Sequence, residues 1–237
     1  MTVAVVTFPG SNCDRDCVTA MVEGAQGQAV RVFHKEQELP PLTSAVILPG
    51  GFSFGDYLRC GAMAARSNLM PAIKRFVDAG GPVVGICNGF QILCEAGVLP
   101  GALLRNRDGR FHCEEVELEV TGDSPLLATY EKNELIVLPI AHGEGNYFAD
   151  DDVIAQLERE RRVAFRYAAR DDQGHGVVNG AKKGIAGVVG GPARNVVGLM
   201  PHPERRSLDL HGSDDGMPLL ASLLSFAAHR AHAPRPS

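Results

Sequence analysis

The sequence predicts an open α/β fold, in which a mostly parallel twisted sheet carries helices on both faces and additional antiparallel strands. Short apolar runs such as 3–8 and 45–48 are typical of strands buried on both faces. Helical patterns lie between these runs, and glycine and proline clusters such as 49–51 interrupt them. The chain has 237 residues, enough for one large core, so we expect residues 1–237 to form a single domain.

The first half of the chain alternates strands with helices. Apolar residues at 18, 21, 22 and 25 follow the spacing of one helical face. A second helix is expected around 72–77, before the Gly-Gly-Pro stop at 80–82. The expected strands are 3–8, 29–33, 45–48 and 82–86.

The second half is richer in strands, some of which we expect to extend the sheet in antiparallel orientation. The pattern at 216–229 predicts a closing amphipathic helix, and we expect a loose tail after about residue 229. Polar residues and glycines predict a loop at 171–183. The expected strands are 113–120, 135–140, 163–167, 185–189 and 196–200.

Charge and hydropathy exclude several classes of function. The formal net charge is −5, so the chain has no broad basic field for nucleic acid or an anionic membrane. No apolar run approaches the roughly 20 residues that span a bilayer. The chain enters a strand-like run at once, without the pattern of a signal peptide, and we expect a cytoplasmic protein.

A candidate nucleophile stands at the junction of a predicted strand and a helix. Cys87 lies between Gly85 and Gly89, where an apolar run ends and a helical pattern begins. Glycines on both sides allow the sharp turn that exposes such a side chain. The unpaired N–H groups of the following helix favour negative charge on the sulfur. We therefore predict that Cys87 is the catalytic residue.

A candidate base follows another predicted strand. His202 lies between Pro201 and Pro203, which favour an extended and stiff segment. Residues two apart in such a segment face the same way, so Glu204 is placed to orient the imidazole. A nucleophile, a base and an orienting carboxylate form the arrangement used in covalent amide and ester hydrolysis.

Two further loops are candidates for substrate binding. Gly50, Gly51 and Phe52 directly follow a strand, and small residues there let backbone N–H groups approach a substrate oxygen. The segment 142–146 has the glycines of a loop that closes over a ligand. Asp56 stands where a phosphate-binding loop needs lysine, and no dinucleotide fingerprint follows a strand. We expect neither a nucleotide cofactor nor a metal in this chain.

These motifs resemble those of the class I, triad-type glutamine amidotransferases, and the likeness runs from about Thr2 to Phe226. More closely, the chain resembles the glutaminase subunits of phosphoribosylformylglycinamidine synthases of purine biosynthesis. The blocks that carry the likeness are Pro9 to Asp14, Gly50 to Ala62, Gly85 to Gln91, His142 to Gly145 and Pro201 to Arg205.

The resemblance implies a flavodoxin-like sheet and a thioester mechanism. Cys87 would attack the side-chain amide of glutamine, with His202 as acid and base and Glu204 as its orienting group. Backbone N–H groups near Gly51 and Phe52 and of Asn88 would hold the oxyanion. By the same likeness, glutamine would be bound by Gln91, His142, Gly143 and Glu144.

The resemblance also implies partners. Ammonia would pass to an ATP-binding synthetase subunit that holds ATP and magnesium, and a small third subunit would complete the complex. Three alternatives stay open at this point: another class I amidotransferase, a cysteine hydrolase on the same fold, and a non-catalytic glutamine-sensing subunit. The same-fold hydrolases typically have a histidine directly after the nucleophile, where this chain has Asn88.

Overall fold

A computed structural model describes residues 1–169 and 177–232 of the chain, with side chains to residue 230. Eleven strands are present in that part, and most contain the apolar runs seen in the sequence. In chain order they are β1 Thr2–Thr7, β2 Gln28–Phe33, β3 Thr43–Leu48, β4 Val83–Ile86, β5 Ala102–Leu104, β6 His112–Val120, β7 Leu135–His142, β8 Asn146–Phe148, β9 Val163–Tyr167, β10 Ile185–Gly190 and β11 Val196–Leu199.

Nine of the described strands form one mixed sheet, in the order β2-β1-β3-β4-β11-β10-β9-β6-β7. The five strands from β2 to β11 run parallel to one another. The remaining four pair antiparallel. The short strands β5 and β8 form a separate antiparallel pair. The predicted α/β fold with a mostly parallel sheet and added antiparallel strands is therefore confirmed.

Strand β4 lies in the middle of the sheet, between β3 and β11. The strands β4 and β11 are buried at every residue, and β3 is buried from Ala45 onward. Burial on both faces explains why their sequences are continuously apolar rather than alternating. In the β4–β11 register Ile86 pairs with Leu199, so the carboxyl ends of the two strands stop side by side. Ligands of open α/β sheets bind at such an edge.

Five α-helices pack around the sheet in the described part of the chain. The helix α3 is buried at every residue from 88 to 94. It contacts β3, β4 and β11, and α5 contacts β3. The helices are α1 Asp14–Thr19, which continues as a π-helical turn over Ala20–Gly24, α2 Met70–Asp78, α3 Asn88–Glu95, α4 Asp151–Arg159 and α5 Met217–His232.

The differences from the sequence-based expectations are local. We did not expect α4, β5 or β8. Helix α5 continues to His232, so the chain is still helical beyond residue 229, where we expected a loose tail. The residues 233–237 and the 171–176 part of the expected loop lie outside the described residues, and the end of that loop forms a short 3-10 turn at Lys182–Gly184. The single-domain assignment stays a prediction.

No helix of residues 1–169 or 177–232 is both long and apolar enough to cross a membrane.

A buried asparagine joins the start of the two central strands. The Asn195 Nδ2 group donates to the carbonyl oxygens of Val77 and Gly81, at 3.0 and 2.6 Å. Its Oδ1 atom accepts from the backbone N–H of Ala193 at 3.1 Å. The backbone carbonyl of Asn195 accepts from Val83 N–H at 2.8 Å. One fully buried side chain therefore ties the end of α2 to the first residues of β4 and β11.

We expect Asn195→Ala to lower the free energy of unfolding by roughly 2–4 kcal/mol, because it removes three hydrogen bonds from a buried site. Urea unfolding followed by circular dichroism measures this. Asn68→Ala is the matched control, since Asn68 makes one exposed hydrogen bond to the Lys35 carbonyl. An equal decrease in the free energy of unfolding in the two variants would contradict this role of Asn195.

Candidate active site

Cys87 occupies the sharp turn between β4 and α3. Its φ and ψ angles are 50° and −106°, a conformation that residues with a Cβ rarely adopt. The glycines on both sides have no room for a side chain: a Cβ on Gly85 would lie 2.5 Å from Leu93 Cδ1, and one on Gly89 would collide with the carbonyl oxygen of Leu48. Strand and helix therefore approach closely, and the turn forces the Cys87 side chain outward.

The N-terminus of α3 lies directly after Cys87. The Cys87 carbonyl oxygen accepts from Phe90 and Gln91 N–H at 3.0 and 3.1 Å, which begins the helix at this residue. The Cys87 N–H donates to Leu199 O at 2.8 Å and so continues the pairing of β4 with β11. The first backbone N–H groups of α3 therefore follow directly after the nucleophile.

His202 and Glu204 form a buried ion pair just beyond β11. Both side chains are about 1% exposed, and His202 Nδ1 lies 2.6 Å from Glu204 Oε1. The His202 N–H donates to Pro139 O at 2.8 Å, which ties the segment to β7. Burial alone would lower the pKa of His202, but the negative charges of Glu204 and Cys87 outweigh it and raise this pKa well above its usual value.

The structure places Cys87 next to the His202 imidazole. Each residue follows one of two adjacent parallel strands, and the Cys87 sulfur is close enough to the ring to raise its pKa. Among the described residues, His202 Nε2 has no hydrogen-bond partner, while Nδ1 is held by Glu204. Nε2 is therefore free to exchange a proton with Cys87 or with a bound substrate.

A cavity of about 320 Å³ opens over Cys87. Its charged side chains are Asp56, Arg105 and Glu144, and the rings of Phe52 and Phe111 stack at its wall with centroids 6.3 Å apart. Seven of the ten predicted site residues line it. The lining residues are Gly51, Phe52, Asp56, Cys60, Cys87, Gln91, Arg105, Gly109, Phe111, Ala141, His142, Gly143 and Glu144.

Gly51 and Phe52 lie on the loop after β3, as expected from the sequence. Gly51 has φ 137°, and a Cβ there would lie 2.8 Å from the backbone N of Asn12, so only glycine fits. The Phe52 N–H already donates to Gly10 O at 3.0 Å. Phe52 thus contributes its ring to the cavity, and its N–H is not available as an oxyanion donor.

The side chains of Asn88 and Gln91 form hydrogen bonds between the segments that surround the cavity. Asn88 Oδ1 accepts from Ser53 N–H at 3.2 Å, and its Nδ2 group donates to Gln91 Oε1 at 2.8 Å. Gln91 Nε2 donates in turn to the Glu144 carbonyl oxygen at 2.7 Å. This chain of bonds links three segments that line the cavity, the loop after β3, the helix α3 and the loop after β7.

The loop that begins at His142 is fixed by Asn106, a residue that the sequence analysis did not single out. Asn106 Nδ2 donates to His142 O at 2.9 Å, and its Oδ1 accepts from Gly145 N–H at 2.9 Å. The Asn106 N–H donates to Gly143 O at 2.9 Å. Asn106 is itself buried, so these bonds hold the loop in one conformation over the cavity.

His142 is a neutral side chain in this site. Burial and the nearby positive charge of His202 lower its pKa to about 4, so it carries no proton charge at neutral pH. Both of its ring nitrogens are buried without a hydrogen-bond partner among the described residues. The ring lines the cavity, where it offers one donor and one acceptor to a bound molecule.

Cys13, His202 and Glu204 are the described residues that could together hold a metal ion, with one ligand atom of each within 4.8 Å of the others. Their atoms already have internal partners. Glu204 Oε1 is bound to His202, and the Cys13 sulfur accepts from Arg205 Nη2 at 3.1 Å. The positive charge of the Arg205 guanidinium beside the sulfur would repel a metal ion. The absence of a metal site stays a prediction.

Several residues of the site have no local sequence pattern that assigns them a role. Cys13, Asp56 and Cys60 lie inside the blocks that carry the resemblance, but nothing in the sequence alone gives these positions a function. Arg105, Asn106 and Phe111 lie in the segment between β5 and β6, which carries no periodic pattern. Their roles follow from contacts with distant loops, and a single sequence gives no signal for such contacts.

A cysteine on a strand-to-helix turn, with a buried histidine and a carboxylate at the same sheet edge, defines a cysteine-dependent amide-hydrolysing enzyme. Residues 1–214 match the model of the CobB/CobQ-like glutamine amidotransferase domain. The chain therefore belongs to this family of glutamine amidotransferases.

The chain is similar along nearly its whole length to named proteins and to a solved structure. The chain is 51% identical over 229 residues to the phosphoribosylformylglycinamidine synthase subunit PurQ of Zymomonas mobilis, covering 96% of this chain and 100% of that protein. It is 51% identical over 231 residues to the subunit of the same name from Gloeobacter violaceus, covering 96% and 98%. Among solved structures, PurLQS from Thermotoga maritima contains a chain that matches with TM-score 0.82 and 43% identity, covering 95% and 98%.

We expect Glu204→Gln to lower kcat for glutamine hydrolysis roughly 10²- to 10⁴-fold, because the imidazole loses its orienting charge. A raised His202 pKa keeps the imidazolium present below that pKa and loses it as the pH rises through it. Removing the charge of Glu204 lowers the pKa, so the alkaline limb of the pH–rate profile should move to lower pH. A variant with an unchanged alkaline limb would contradict this role of Glu204.

We expect Asn106→Ala to raise KM for glutamine about tenfold or more, because the two side-chain hydrogen bonds to His142 O and from Gly145 N–H no longer hold the loop over the cavity. Initial rates at varied glutamine concentration measure this. Asn68→Ala is the control and should keep the wild-type KM, because Asn68 is exposed and does not line the cavity. If Asn106→Ala left KM unchanged, the loop would not depend on Asn106 for its conformation.

Proposed function

We propose that this chain is the glutaminase subunit of a phosphoribosylformylglycinamidine synthase, which hydrolyses glutamine and supplies ammonia for the conversion of formylglycinamide ribonucleotide to formylglycinamidine ribonucleotide. The observation that carries the proposal is the arrangement of Cys87, His202 and Glu204 beneath the cavity. Relatives of nearly the same length, named as subunits of that synthase, support the choice of pathway.

The first half of the reaction uses His202 as an acid. The Cys87 sulfur attacks the side-chain amide carbon of glutamine, and the carbonyl oxygen becomes an oxyanion. We assign this charge to the backbone N–H groups of Asn88, directly after Cys87, and of Gly51, on the loop after β3, and one such donor is typically worth roughly 10²–10³ in rate. His202, held as an imidazolium by Glu204, donates its proton to the leaving nitrogen, and ammonia departs.

The second half uses the same imidazole as a base. Neutral His202 takes a proton from a water molecule, which attacks the γ-glutamyl thioester on Cys87. Collapse of the second tetrahedral intermediate breaks the C–S bond and releases glutamic acid, which loses its proton to solvent, and leaves the Cys87 thiolate beside the His202 imidazolium. Glu204 keeps the ring oriented through both halves, since its contact is on Nδ1 and leaves Nε2 to carry the proton.

The charges at the cavity fit the other end of glutamine. Glutamine carries an α-carboxylate and an α-ammonium group, and the cavity offers Arg105 for the first and Asp56 and Glu144 for the second. Cys87 lies in the same cavity, so a ligand held by these charges directs its side-chain amide to the sulfur. An amide without a zwitterionic end matches this lining less well.

The synthetase half of the reaction is assigned to partners. The sequence has no phosphate-binding loop, which is consistent with ATP and magnesium being held by an ATP-binding synthetase subunit. A similar solved structure is named PurLQS from Thermotoga maritima, and we include in the proposed complex the small third subunit that the sequence resemblance implies. Ammonia is mostly ammonium in water at neutral pH, so transfer inside the complex preserves the nucleophile. The whole complex is proposed to be cytoplasmic.

Reconstitution with the synthetase subunits tests the proposal. We expect weak glutaminase activity alone and a higher rate in the complex. Cys87→Ala should lower the rate of glutamine-dependent amidation at least 10³-fold. The rate of ammonia-dependent amidation should stay unchanged, because only the nucleophile is lost. Cys113→Ala, which removes an exposed thiol, is the control. A loss of less than tenfold in Cys87→Ala would overturn the proposed function.

A further inference from the structure

A second buried cysteine lies beside the catalytic histidine. Cys13 is at the end of the loop after β1 and is 2% exposed. Its sulfur accepts a hydrogen bond from Arg205 Nη2 at 3.1 Å, and its S–H donates to Asn12 Oδ1 at 3.3 Å. A buried thiol with a charged donor aimed at it is unlike an ordinary core cysteine, which contacts apolar atoms only.

The Cys13 sulfur is close to the imidazole itself. One ligand atom each of Cys13, His202 and Glu204 lies within 4.8 Å of the others. Gly50 lines the same gap: a Cβ there would lie 2.7 Å from His202 Cε1 and 3.2 Å from the Cys13 sulfur. The ring is therefore bounded by the Gly50 backbone, the Cys13 sulfur, the Glu204 carboxylate and Cys87.

Arg205 connects the two groups that hold the ring. Its Nη2 atom donates to the Cys13 sulfur, and its Nε atom lies 3.9 Å from Glu204 Oε1. Arg205 directly follows Glu204 in sequence, so the 3-10 turn Pro203–Arg205 positions the carboxylate and the guanidinium together. Displacing the Cys13 sulfur would therefore disturb both Arg205 and the space in which the imidazole sits.

We propose that Cys13, held by Arg205, is a positioning residue that fixes the His202 ring against Cys87, so that the catalytic triad works as part of a larger cluster. Cys13 does not line the cavity described above, so it acts through His202 and not on the substrate. The inference rests on the proposed glutaminase function, because the histidine it positions is the acid and base of that reaction.

The structural consequence of removing the sulfur is a void beside the ring. Gly50 has no side chain to fill it, and a small misplacement of a catalytic group costs up to about 10²-fold in rate. We expect Cys13→Ala to lower kcat roughly 10- to 100-fold with KM for glutamine within twofold of wild type. Cys13→Ser keeps a small hydrogen-bonding side chain and should recover part of the loss.

The pH profile gives a second readout that a merely structural role would not move. The groups that face the His202 ring are Cys13, Cys87, Glu204 and the neutral His142, with Arg205 behind them. Cys13 is one of the groups that raise the pKa of His202, although Glu204 and Cys87 contribute more. Removing it should therefore move the alkaline limb of the rate profile to lower pH, by less than Glu204→Gln does.

The experiment compares Cys13→Ala, Cys13→Ser, Arg205→Gln and the double variant with Cys94→Ala, a control that removes another buried thiol. Glutamine hydrolysis by the reconstituted complex gives kcat and KM. Alkylation of Cys87 in the full-length chain by iodoacetamide, followed by mass spectrometry, gives its reactivity against pH. Thermal unfolding shows which variants are folded.

We expect Cys13→Ala and Arg205→Gln to lower kcat and the alkylation rate of Cys87, with less than additive losses in the double variant and wild-type behaviour in Cys94→Ala. Folded Cys13→Ala and Cys13→Ser variants with wild-type kcat, pH profile and Cys87 alkylation would overturn the inference. If Cys13→Ala does not fold, kcat and the alkylation rate of Cys87 in Cys13→Ser and Arg205→Gln test the inference in its place. A wild-type complex that hydrolyses no glutamine would refute the proposed function, while alkylation of Cys87 would still test Cys13.

Discussion

The parallel pairing of β4 with β11 is the constraint on which the site depends. It places the end of one strand beside the end of the other, and the Cys87 N–H extends the pairing by one bond to Leu199 O. A nucleophile and a base that are far apart in sequence therefore meet without any flexible segment between them. The buried Asn195 ties the opposite ends of the same two strands, so the pair is held at both ends.

The two histidines near Cys87 show how environment divides their roles. Glu204 raises the pKa of buried His202 and so favours its protonated form, whereas burial without an anionic partner lowers the pKa of His142 and favours its neutral form. A protonated ring can supply a proton to a leaving nitrogen. A neutral ring beside it can bind that nitrogen without protonating it. Burial is common to both residues, and the adjacent carboxylate makes the difference.

The sequence predicts the central fold because the buried strands are long apolar runs between clear glycine and proline stops. The strands β5 and β8 have three residues each, too few to establish a period, and were not predicted. The helix α4 has apolar residues at helical spacing, but polar residues dominate its nine positions, so the sequence does not predict it. Cys87, His202 and Glu204 stand out through flanking glycines and prolines. Asn106 has no such local mark, since its role lies in contacts made across the fold.

The backbone of Cys87 has a consequence beyond catalysis. A residue with a side chain at φ 50° and ψ −106° is strained, and the surrounding β4, α3 and Leu48 backbone maintain that strain. Natural selection on such an enzyme favours catalytic activity at the expense of conformational stability at this one position. Descendants that abandoned the reaction would be free to place glycine there, and relaxation of the turn would then mark a lineage that kept the scaffold for another purpose.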